Sequence, residues 1–294
     1  MSVQIDRNRC IRCHHCVRVC PLGALWADAP HTDPQIRPEN CIDCGHCAAV
    51  CPADVITLTD VMLHLLPAPE AKQARTDMTV SAAAETVACD QPVVAEIVDG
   101  AQPAAASLDT LIRQRRSIRA YDSRRMVSRE VVERLVAAAS QAPTARNRRR
   151  FGFRLYSRQE TRALEQQAQD YFVNQVNDPG LKDLIVNHHY QVLLGAPHVL
   201  CLYADRAMSD FDCGLLSQNL LLMGQAMGLG LCCNGIFRNA FSHNPQMASQ
   251  ARLESEPDWP LRMAFSLGYP ASDIHYRKLI EREPYRLEGL PDDR

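Results

Sequence analysis

Two cysteine-rich stretches near the start of the chain decide the fold of its first part. They read CIRCHHCVRVCP at residues 10–21 and CIDCGHCAAVCP at residues 41–52, so the second stretch begins 31 residues after the first. Both have the spacing C-x2-C-x2-C-x3-C-P. Because the offsets are the same in both stretches, residues 1–60 are predicted to be a duplicated unit.

The spacing of these cysteines is typical of iron–sulfur proteins. Three thiolates two residues apart can surround one corner of a cubic [4Fe–4S] cluster, and in two-cluster modules the fourth cysteine ligates the other cluster. We therefore assign one cluster to Cys10, Cys13, Cys16 and Cys51, and a second to Cys41, Cys44, Cys47 and Cys20. Residues 1–60 resemble the bacterial two-[4Fe–4S] ferredoxins.

Zinc is the alternative metal for these cysteines. Zinc knuckles usually present two C-x2-C pairs rather than three linked cysteines and a trailing Cys-Pro, so the spacing disfavours zinc. His14, His15 and His46 lie between the cysteines and are expected to form hydrogen bonds rather than to bind metal.

Composition limits the class of protein. The 294 residues are 46% hydrophobic and carry a net charge of -2, which allows a sizeable core and argues against a generic nucleic-acid-binding protein. Apolar runs stay short of the ~20 residues of a membrane span. The first residues lack the apolar core of a signal peptide. We expect a cytoplasmic protein with no membrane or nucleic-acid partner.

A change of composition predicts a second domain. Residues 61–107 are rich in alanine and proline and are predicted to be a linker, and residues 108–294 alternate between helical and strand patterns. We predict a helix capped by Ser128 and an exposed helix over 159–178. A helix over 215–227, apolar nearly all round, is predicted to be fully buried. Strands are predicted at 151–156, 199–203 and 264–267.

The remaining cysteines do not cluster as the first eight do. Their surroundings are apolar or contain small residues, which favours buried, inert thiols. They are Cys89, Cys201, Cys213, Cys232 and Cys233.

The basic stretch at residues 113–119 has two interpretations. The stretch is either part of a solvated face, or its guanidinium groups and a hydroxyl together bind a phosphate. The residues concerned are Arg115, Arg116, Ser117 and Arg119. The rest of the domain favours the second interpretation. RRSIRAY at 115–121 resembles the R-R-S-x-R-x-F opening of the nitroreductase family of FMN enzymes. Further matching segments are APTARN at 142–147, D-x-G-x-x-x-Q-N-L from 212, GLG at 228–230 and GYP at 268–270.

This resemblance implies roles for individual residues. Arg115, Ser117 and Arg119, joined by Lys278 or Arg282, would hold the phosphate and ribityl chain of FMN, with Arg116 at the edge of the flavin ring. Pro143, Thr144 and Asn147 would line one side of the ring. Asn234 and Gly235 would bring a backbone N–H toward flavin N5. The family also implies a homodimer with FMN at its interface, and no side chain is required as a catalytic acid.

The chain departs from the family pattern at residues 147–151, which read NRRRF where N-x-Q-P-W is frequent. Arg146 and the three arginines at 148–150 form a solvated turn, a site for anionic substrates or a docking patch for acidic electron donors. Cys232 and Cys233 are adjacent and either pack or are redox-active; a relaxed vicinal disulfide is rare.

Together these features predict an α+β protein. A small ferredoxin-like domain would precede a nitroreductase-like α+β domain with a central antiparallel or mixed sheet and a helical dimer core. An external low-potential donor would supply electrons to FMN through the two clusters, and FMN would reduce an electron-poor small molecule such as a nitro compound, quinone or activated alkene. Use of NAD(P)H stays open, because its usual G-x-G-x-x-G motif is absent but the family does not need it.

Two other functions are alternatives. The chain could be a non-enzymatic electron relay or redox sensor. It could also belong to the flavin-consuming or dehalogenating branches of the family, which need a lid. Residues 159–194 would supply that lid, although ordinary helix packing also explains Tyr171, Phe172, His188, His189 and Tyr190.

Overall fold

The computed structural model describes residues 3–59, 63–65 and 103–280 of the chain. In the first module the elements are β1 (Val3–Ile5), α1 (His15–Arg18), β2 (Leu25–Trp26), β3 (Gln35–Ile36), α2 (His46–Val50) and β4 (Ile56–Leu58). The next elements are β5 (Leu63–Leu65), α3 (Pro103–Gln114), α4 (Arg129–Ala139), β6 (Phe151–Tyr156), α5 (Arg158–Asn174), α6 (Pro179–His188) and β7 (His198–Ala204). The last are α7 (Asp210–Ala226), β8 (Gly230–Cys233), α8 (Gly235–His243), α9 (Pro245–Gln250), β9 (Leu261–Gly268) and β10 (Lys278–Ile280).

The first module repeats its backbone as well as its cysteines. Strand β1 pairs antiparallel with β4, and β2 pairs with β3. Residues with positive φ recur at the same 31-residue offset, in the pairs Arg12 and Asp43, His14 and Gly45, and Gly23 and Asp54. Left-handed residues are uncommon outside glycine, so this recurrence reflects a constraint shared by the two halves. The duplication seen in the sequence is therefore also present in the backbone conformation of the two halves.

The second domain is built on a four-stranded antiparallel sheet in the order β6-β7-β9-β8. Strand β7 is buried along its whole length, and its side chains alternate between two cores. Val199, Cys201 and Tyr203 belong to the core under α5 and α8, and Leu200 and Leu202 belong to the core under α4 and α7. This arrangement confirms the α+β class.

Several predicted elements are present with shifted bounds. Ser128 caps α4 by accepting a hydrogen bond from the backbone N–H of Val131, and the three predicted strands lie within β6, β7 and β9. Helix α5 covers most of the stretch predicted at 159–178. Its surface is not polar all round, because Leu164 and Phe172 are buried in the core.

The prediction of a fully buried helix over 215–227 is wrong. Helix α7 begins earlier, at Asp210, and buries only one side, which includes Leu216 and Leu220. Leu221 and Leu222 on its other side are half-buried, and Phe211 is 73% exposed. The described residues of the single chain therefore leave the other side of this helix uncovered.

Part of the predicted linker falls inside regular structure. Residues 63–65 form β5, which pairs antiparallel with β10 from the end of the second domain, and α3 begins at Pro103. Cys89 and the rest of the linker lie outside the described residues. Within the described ranges, no helix combines the length and the apolar character needed to cross a bilayer.

Candidate functional site

The eight cysteines of the repeat line two cavities, four to each cavity. One cavity is lined by Cys10, Cys13, Cys16 and Cys51. The other is lined by Cys20, Cys41, Cys44 and Cys47. Each cavity therefore takes three cysteines from one repeat and the cysteine before proline from the other repeat. The sequence predicts the same grouping for two clusters, and the role of these cysteines as cluster ligands stays a prediction.

The surroundings of the thiols are apolar, since Val55 and Ile56 line the first cavity, and Val3 and Leu25 line the second. Burial, reinforced by the neighbouring thiols, raises the pKa of Cys16 to about 12. Within the described ranges, no three His, Cys, Asp or Glu side chains are grouped to hold a single metal ion. Each cavity brings four thiols together, which is the number of cysteines that ligate one [4Fe–4S] cluster.

The three histidines of the repeat contact neighbouring residues. His14 Nε2 lies 2.7 Å from the carbonyl oxygen of Thr32, and His15 Nε2 lies 3.8 Å from a carboxylate oxygen of Asp273. The ring of His46 packs edge-on against that of Tyr276, with 5.5 Å between centroids. Two of these contacts reach the second domain.

The cysteine module is seated on the second domain through an apolar seam. Val19 and Val50 of the module pack in one buried cluster with Ala120, Ala271 and Ile274 of the second domain. The cluster joins α1 and α2 to the chain that leaves β9. This burial positions the cysteine cavities against the second domain.

Polar contacts surround the seam. Arg18 pairs with Asp273, and Arg37 donates to Asp183 over 3.3 Å. The Arg37 guanidinium also lies 4.8 Å from the ring centroid of Trp26, and this ring meets His188 edge-on. Arg37 therefore contacts both domains, through Trp26 of the cysteine module and Asp183 of the second domain.

The chain after β9 returns to the cysteine module. The backbone N–H of Arg277 donates to the carbonyl of Ala49 over 2.8 Å, and its guanidinium donates to the carbonyl of Pro52 over 2.8 Å. Lys278 pairs with Asp54. Lys278, predicted to hold FMN phosphate, is thus engaged by the cysteine module, and Arg282 lies outside the described residues. Their part in an FMN site stays a prediction.

Residues 115–119 lie against the edge of the sheet. The backbone N–H of Ile118 donates to the carbonyl of Leu231 on β8 over 3.0 Å. The pKa of buried Cys232 is raised by burial, and the nearby side chains of Arg119, Ser117 and Arg115 lower it in part. Among the described residues, no carboxylate pairs with Arg115 or Arg119. Among the described residues, the positive charge of this site is therefore not compensated by a carboxylate.

Arg116 differs from its neighbours because it is buried. Its Nη1 donates to the carbonyls of Arg113 and Arg115, over 2.6 and 2.9 Å. These two bonds turn part of the guanidinium toward its own backbone. The flavin-ring role predicted for Arg116 stays a prediction.

Asn234 and Gly235 follow β8 and begin α8. The buried side chain of Asn234 donates to the carbonyl of Val192 over 2.6 Å and caps α8 by accepting from the N–H of Phe237. Gly235 is exposed, and a side chain there would meet nothing within 4 Å. The side chain of Asn234 is therefore used in hydrogen bonds within the protein, while the backbone at Gly235 is accessible to a ligand.

The loop at residues 142–149 stands at the start of α7. The N–H of Ala145 donates to Asp212 over 3.0 Å, and the N–H of Arg149 donates to the hydroxyl of Thr144 over 3.2 Å. Arg146, Asn147 and Arg149 have φ of 55°, 50° and 44°. Left-handed residues of this kind are strained, and they concentrate at functional sites.

The other residues of this loop are used in different ways. Pro143 and Asn147 are exposed. Arg148 donates to the carbonyl of Ala207, and Arg150 pairs with Asp205 over 2.8 Å. These contacts give part of the arginine run a structural role and support the interpretation of a turn.

The cysteines of the second domain are free thiols. Cys201, Cys213 and Cys232 are buried, as predicted. Cys233 is exposed instead, because it is the last residue of β8 and lies at the exposed end of this strand.

A cleft runs between the two domains. Cys20 and Trp26 line it from the cysteine module, and Arg119, His188 and Tyr190 line it from the second domain. A cysteine of the second cavity and an arginine of the predicted FMN site therefore face the same cleft. This juxtaposition joins two sites that the sequence predicts separately.

The predicted lid segment supplies packing and part of this cleft. Phe172 is buried in the core with Tyr171 packed beside it. His188 contacts Trp26, and Tyr190 lines the cleft. Helix packing explains the positions of Tyr171 and Phe172. Contacts at the junction of the two domains explain those of His188 and Tyr190.

Comparison with known proteins identifies both parts of the chain. The nitroreductase family matches residues 112–269, more than half of the chain. The chain belongs to the nitroreductase family. A 4Fe-4S dicluster domain matches residues 2–52, so an iron–sulfur domain precedes the nitroreductase domain.

Two relatives place the nitroreductase domain among known proteins. A protein named "Putative NADH dehydrogenase/NAD(P)H nitroreductase" from Methanothermobacter thermautotrophicus is 25% identical over 185 residues, which cover 60% of this chain and 84% of the relative. A nitroreductase with bound FMN from Bacteroides fragilis superposes with a TM-score of 0.51 at 16% identity, over 62% of this chain and 96% of that one. The second likeness supports the fold.

Sequence reasoning missed the residues that join the iron–sulfur domain to the nitroreductase domain. Trp26, Arg37 and Tyr276 have no motif around them, and their partners are distant in sequence. Arg277 follows the GYP segment at 268–270 that resembles the family, but its contact with the iron–sulfur domain cannot be read from that segment.

Arg37→Ala should loosen the junction. The change removes the ion pair with Asp183 and the stacking on Trp26, and cation–π contacts alone contribute about 0.5–2 kcal/mol. Hydrogen exchange measured by mass spectrometry should rise in β2 and α6. Arg129→Ala is the matched control, because the exposed pair of Arg129 and Glu133 contributes little. Equal exchange in both variants would contradict this role of Arg37.

Proposed function

We propose that the protein is an FMN-dependent oxidoreductase that moves single electrons from two [4Fe–4S] clusters to FMN and reduces an electron-poor organic molecule. One observation carries the proposal. The cleft lined by Cys20 of the second cysteine cavity is also lined by Arg119 of the basic site. This shared cleft supports a short route from the iron–sulfur domain to the proposed flavin site.

The cysteine cavities fit two clusters. Each offers four thiols on apolar walls, and the left-handed residues around them belong to the kind of backbone that forms anion-binding concavities at iron–sulfur sites. Cys10, Cys13, Cys16 and Cys51 would hold one cluster, and Cys20, Cys41, Cys44 and Cys47 the other. Bound clusters supply one-electron transfer.

The basic site fits the phosphate of FMN. Arg115 and Arg119 are partly buried and have no carboxylate partner among the described residues, so an anion would compensate them. Ser117 lies beside them and offers a hydroxyl. The bound FMN of the Bacteroides relative and the family match support this assignment. Flavin supplies the two-electron chemistry when it is bound.

A homodimer would complete the site. The exposed Pro143 and Asn147 stand at the start of α7, whose outer side shows the half-buried Leu221 and Leu222 and the exposed Phe211. A second copy packed on this apolar side would cover it. The loop at 142–149 would then reach the flavin site of the partner.

The chain's own groups position the reactants. Arg115, Ser117 and Arg119 would orient the phosphate and ribityl chain, and the open backbone at Gly235 would admit the flavin edge. A substrate would lie over the ring at the dimer interface. Nitro compounds, quinones and activated alkenes are the proposed substrate class, and a low-potential carrier in a reducing compartment such as the cytoplasm is the proposed donor.

Cofactor content and the order of reduction test this function. Protein purified without oxygen should contain about eight iron atoms and one FMN per chain, because each cluster holds four irons. With limiting dithionite, absorbance spectra should show flavin bleaching after the clusters are reduced. Clusters without flavin would contradict the enzyme and leave an electron carrier.

A pair of double variants tests the ligand assignment. Cys20→Ala with Cys41→Ala places both changes at one cavity, so the protein should keep about four iron atoms. Cys51→Ala with Cys41→Ala changes both cavities, so it should keep fewer. Iron analysis and low-temperature electron paramagnetic resonance measure the difference. If the Cys20→Ala, Cys41→Ala protein instead keeps less iron than the Cys51→Ala, Cys41→Ala protein, each repeat binds its own cluster with its own four cysteines.

A further inference from the structure

Tyr276 carries a buried hydroxyl for which the described residues provide no hydrogen-bond partner. Leaving such a group unpaired is unfavourable, and buried hydroxyls nearly always have a partner. The hydroxyl therefore points to a group outside the described chain.

The ring of Tyr276 lies between the two domains. On one side it meets the ring of His46 edge-on, at 74° between planes, and His46 stands between Cys44 and Cys47. It also packs against the apolar seam and against a second buried cluster that contains Ile118 and Tyr121. Tyr276 thus touches both the cysteine module and the 115–121 segment.

The charges near the phenol come from the same two sites. Burial raises the pKa of Tyr276 to about 12; nearby Arg119 and Arg116 lower it, while Cys232 and Cys44 raise it. The phenol therefore keeps its proton near pH 7 and can donate a hydrogen bond. A phosphate or ribityl oxygen of a ligand held by Arg119 is an acceptor of the required kind.

Backbone contacts hold Tyr276 in place. The next residue, Arg277, is bound to Ala49 and Pro52 of the cysteine module. Earlier on the same segment, the N–H of Ala271 donates to the carbonyl of Ala120 over 3.0 Å. The tyrosine is therefore fixed relative to both domains.

We propose that Tyr276 donates a hydrogen bond to the FMN bound at Arg115–Arg119, and that its ring is the contact between this site and the cavity of Cys20, Cys41, Cys44 and Cys47 in the same chain. The inference rests on the proposed function. Two electrons from an external low-potential donor, passed singly, and two protons from water reduce one FMN. Tyr276 is a positioning residue and is itself neither oxidised nor reduced.

Tyr276→Phe tests the hydrogen bond, because it keeps the ring and removes only the hydroxyl. The dissociation constant of FMN, measured by fluorescence titration of the flavin-depleted full chain with its clusters in place, should rise about 3- to 10-fold. Tyr171→Phe, which changes a partly buried tyrosine on α5, should leave it unchanged. Unchanged affinity in the Tyr276→Phe protein would overturn the proposed bond and show that the hydroxyl meets only water.

Tyr276→Leu tests the ring contact. After limiting dithionite, the clusters should accept electrons in both proteins. The flavin band of the variant should then persist over the time in which the wild-type flavin bleaches and the wild-type clusters are reoxidised. Iron content and circular dichroism check that the variant is folded. If it is not folded, the affinity of the Tyr276→Phe protein decides the proposal. Bleaching at the wild-type rate in a folded Tyr276→Leu protein would overturn the ring's role.

The outcomes separate this inference from the proposed function. A wild-type protein that binds no FMN would refute both. A wild-type protein that binds FMN, with a Tyr276→Phe variant of equal affinity, would refute only the role of Tyr276.

Discussion

The segment that leaves β9 is the constraint on which the arrangement of the two domains depends. It first follows the 115–122 strip, where the N–H of Asp122 donates to the carbonyl of Tyr269 and that of Ala271 donates to Ala120. It then reaches the cysteine module, where Arg277 binds Ala49. One continuous stretch of about ten residues therefore fixes the basic site and a cysteine cavity relative to each other.

The apolar seam and the charged rim make this placement specific. Val19, which follows α1, and Val50 of α2 bury side chains that would otherwise be exposed. Apolar burial of this kind stabilises the contact between the domains without fixing their orientation. Arg37 and Trp26 fix orientation, because a guanidinium stacked on an indole and paired with Asp183 tolerates only a narrow range of positions. The nitroreductase domain is thus joined to an iron–sulfur module that is seated beside the basic stretch at residues 115–119.

Local rules in the sequence predicted much of this structure. The cysteine spacing predicted both cavities, and the Ser128 cap and the alternation at 151–156 predicted α4 and β6, because each depends on neighbouring residues. The exposed side of α7 was missed, since hydrophobicity alone does not tell whether a helix is covered by its own chain or by a partner. Tyr276 and the Lys278–Asp54 pair were missed because they depend on contacts between residues more than 200 positions apart.

We propose that electrons reach the flavin through the docked cysteine module of the same molecule. The most direct measurement is the rate of flavin bleaching, by anaerobic stopped flow, after the clusters receive limiting electrons, over a range of protein concentrations. Transfer within one molecule, whether a single chain or a homodimer, predicts a rate constant that does not change with protein concentration. A rate that rises in proportion to concentration would show transfer between molecules and refute the proposed route.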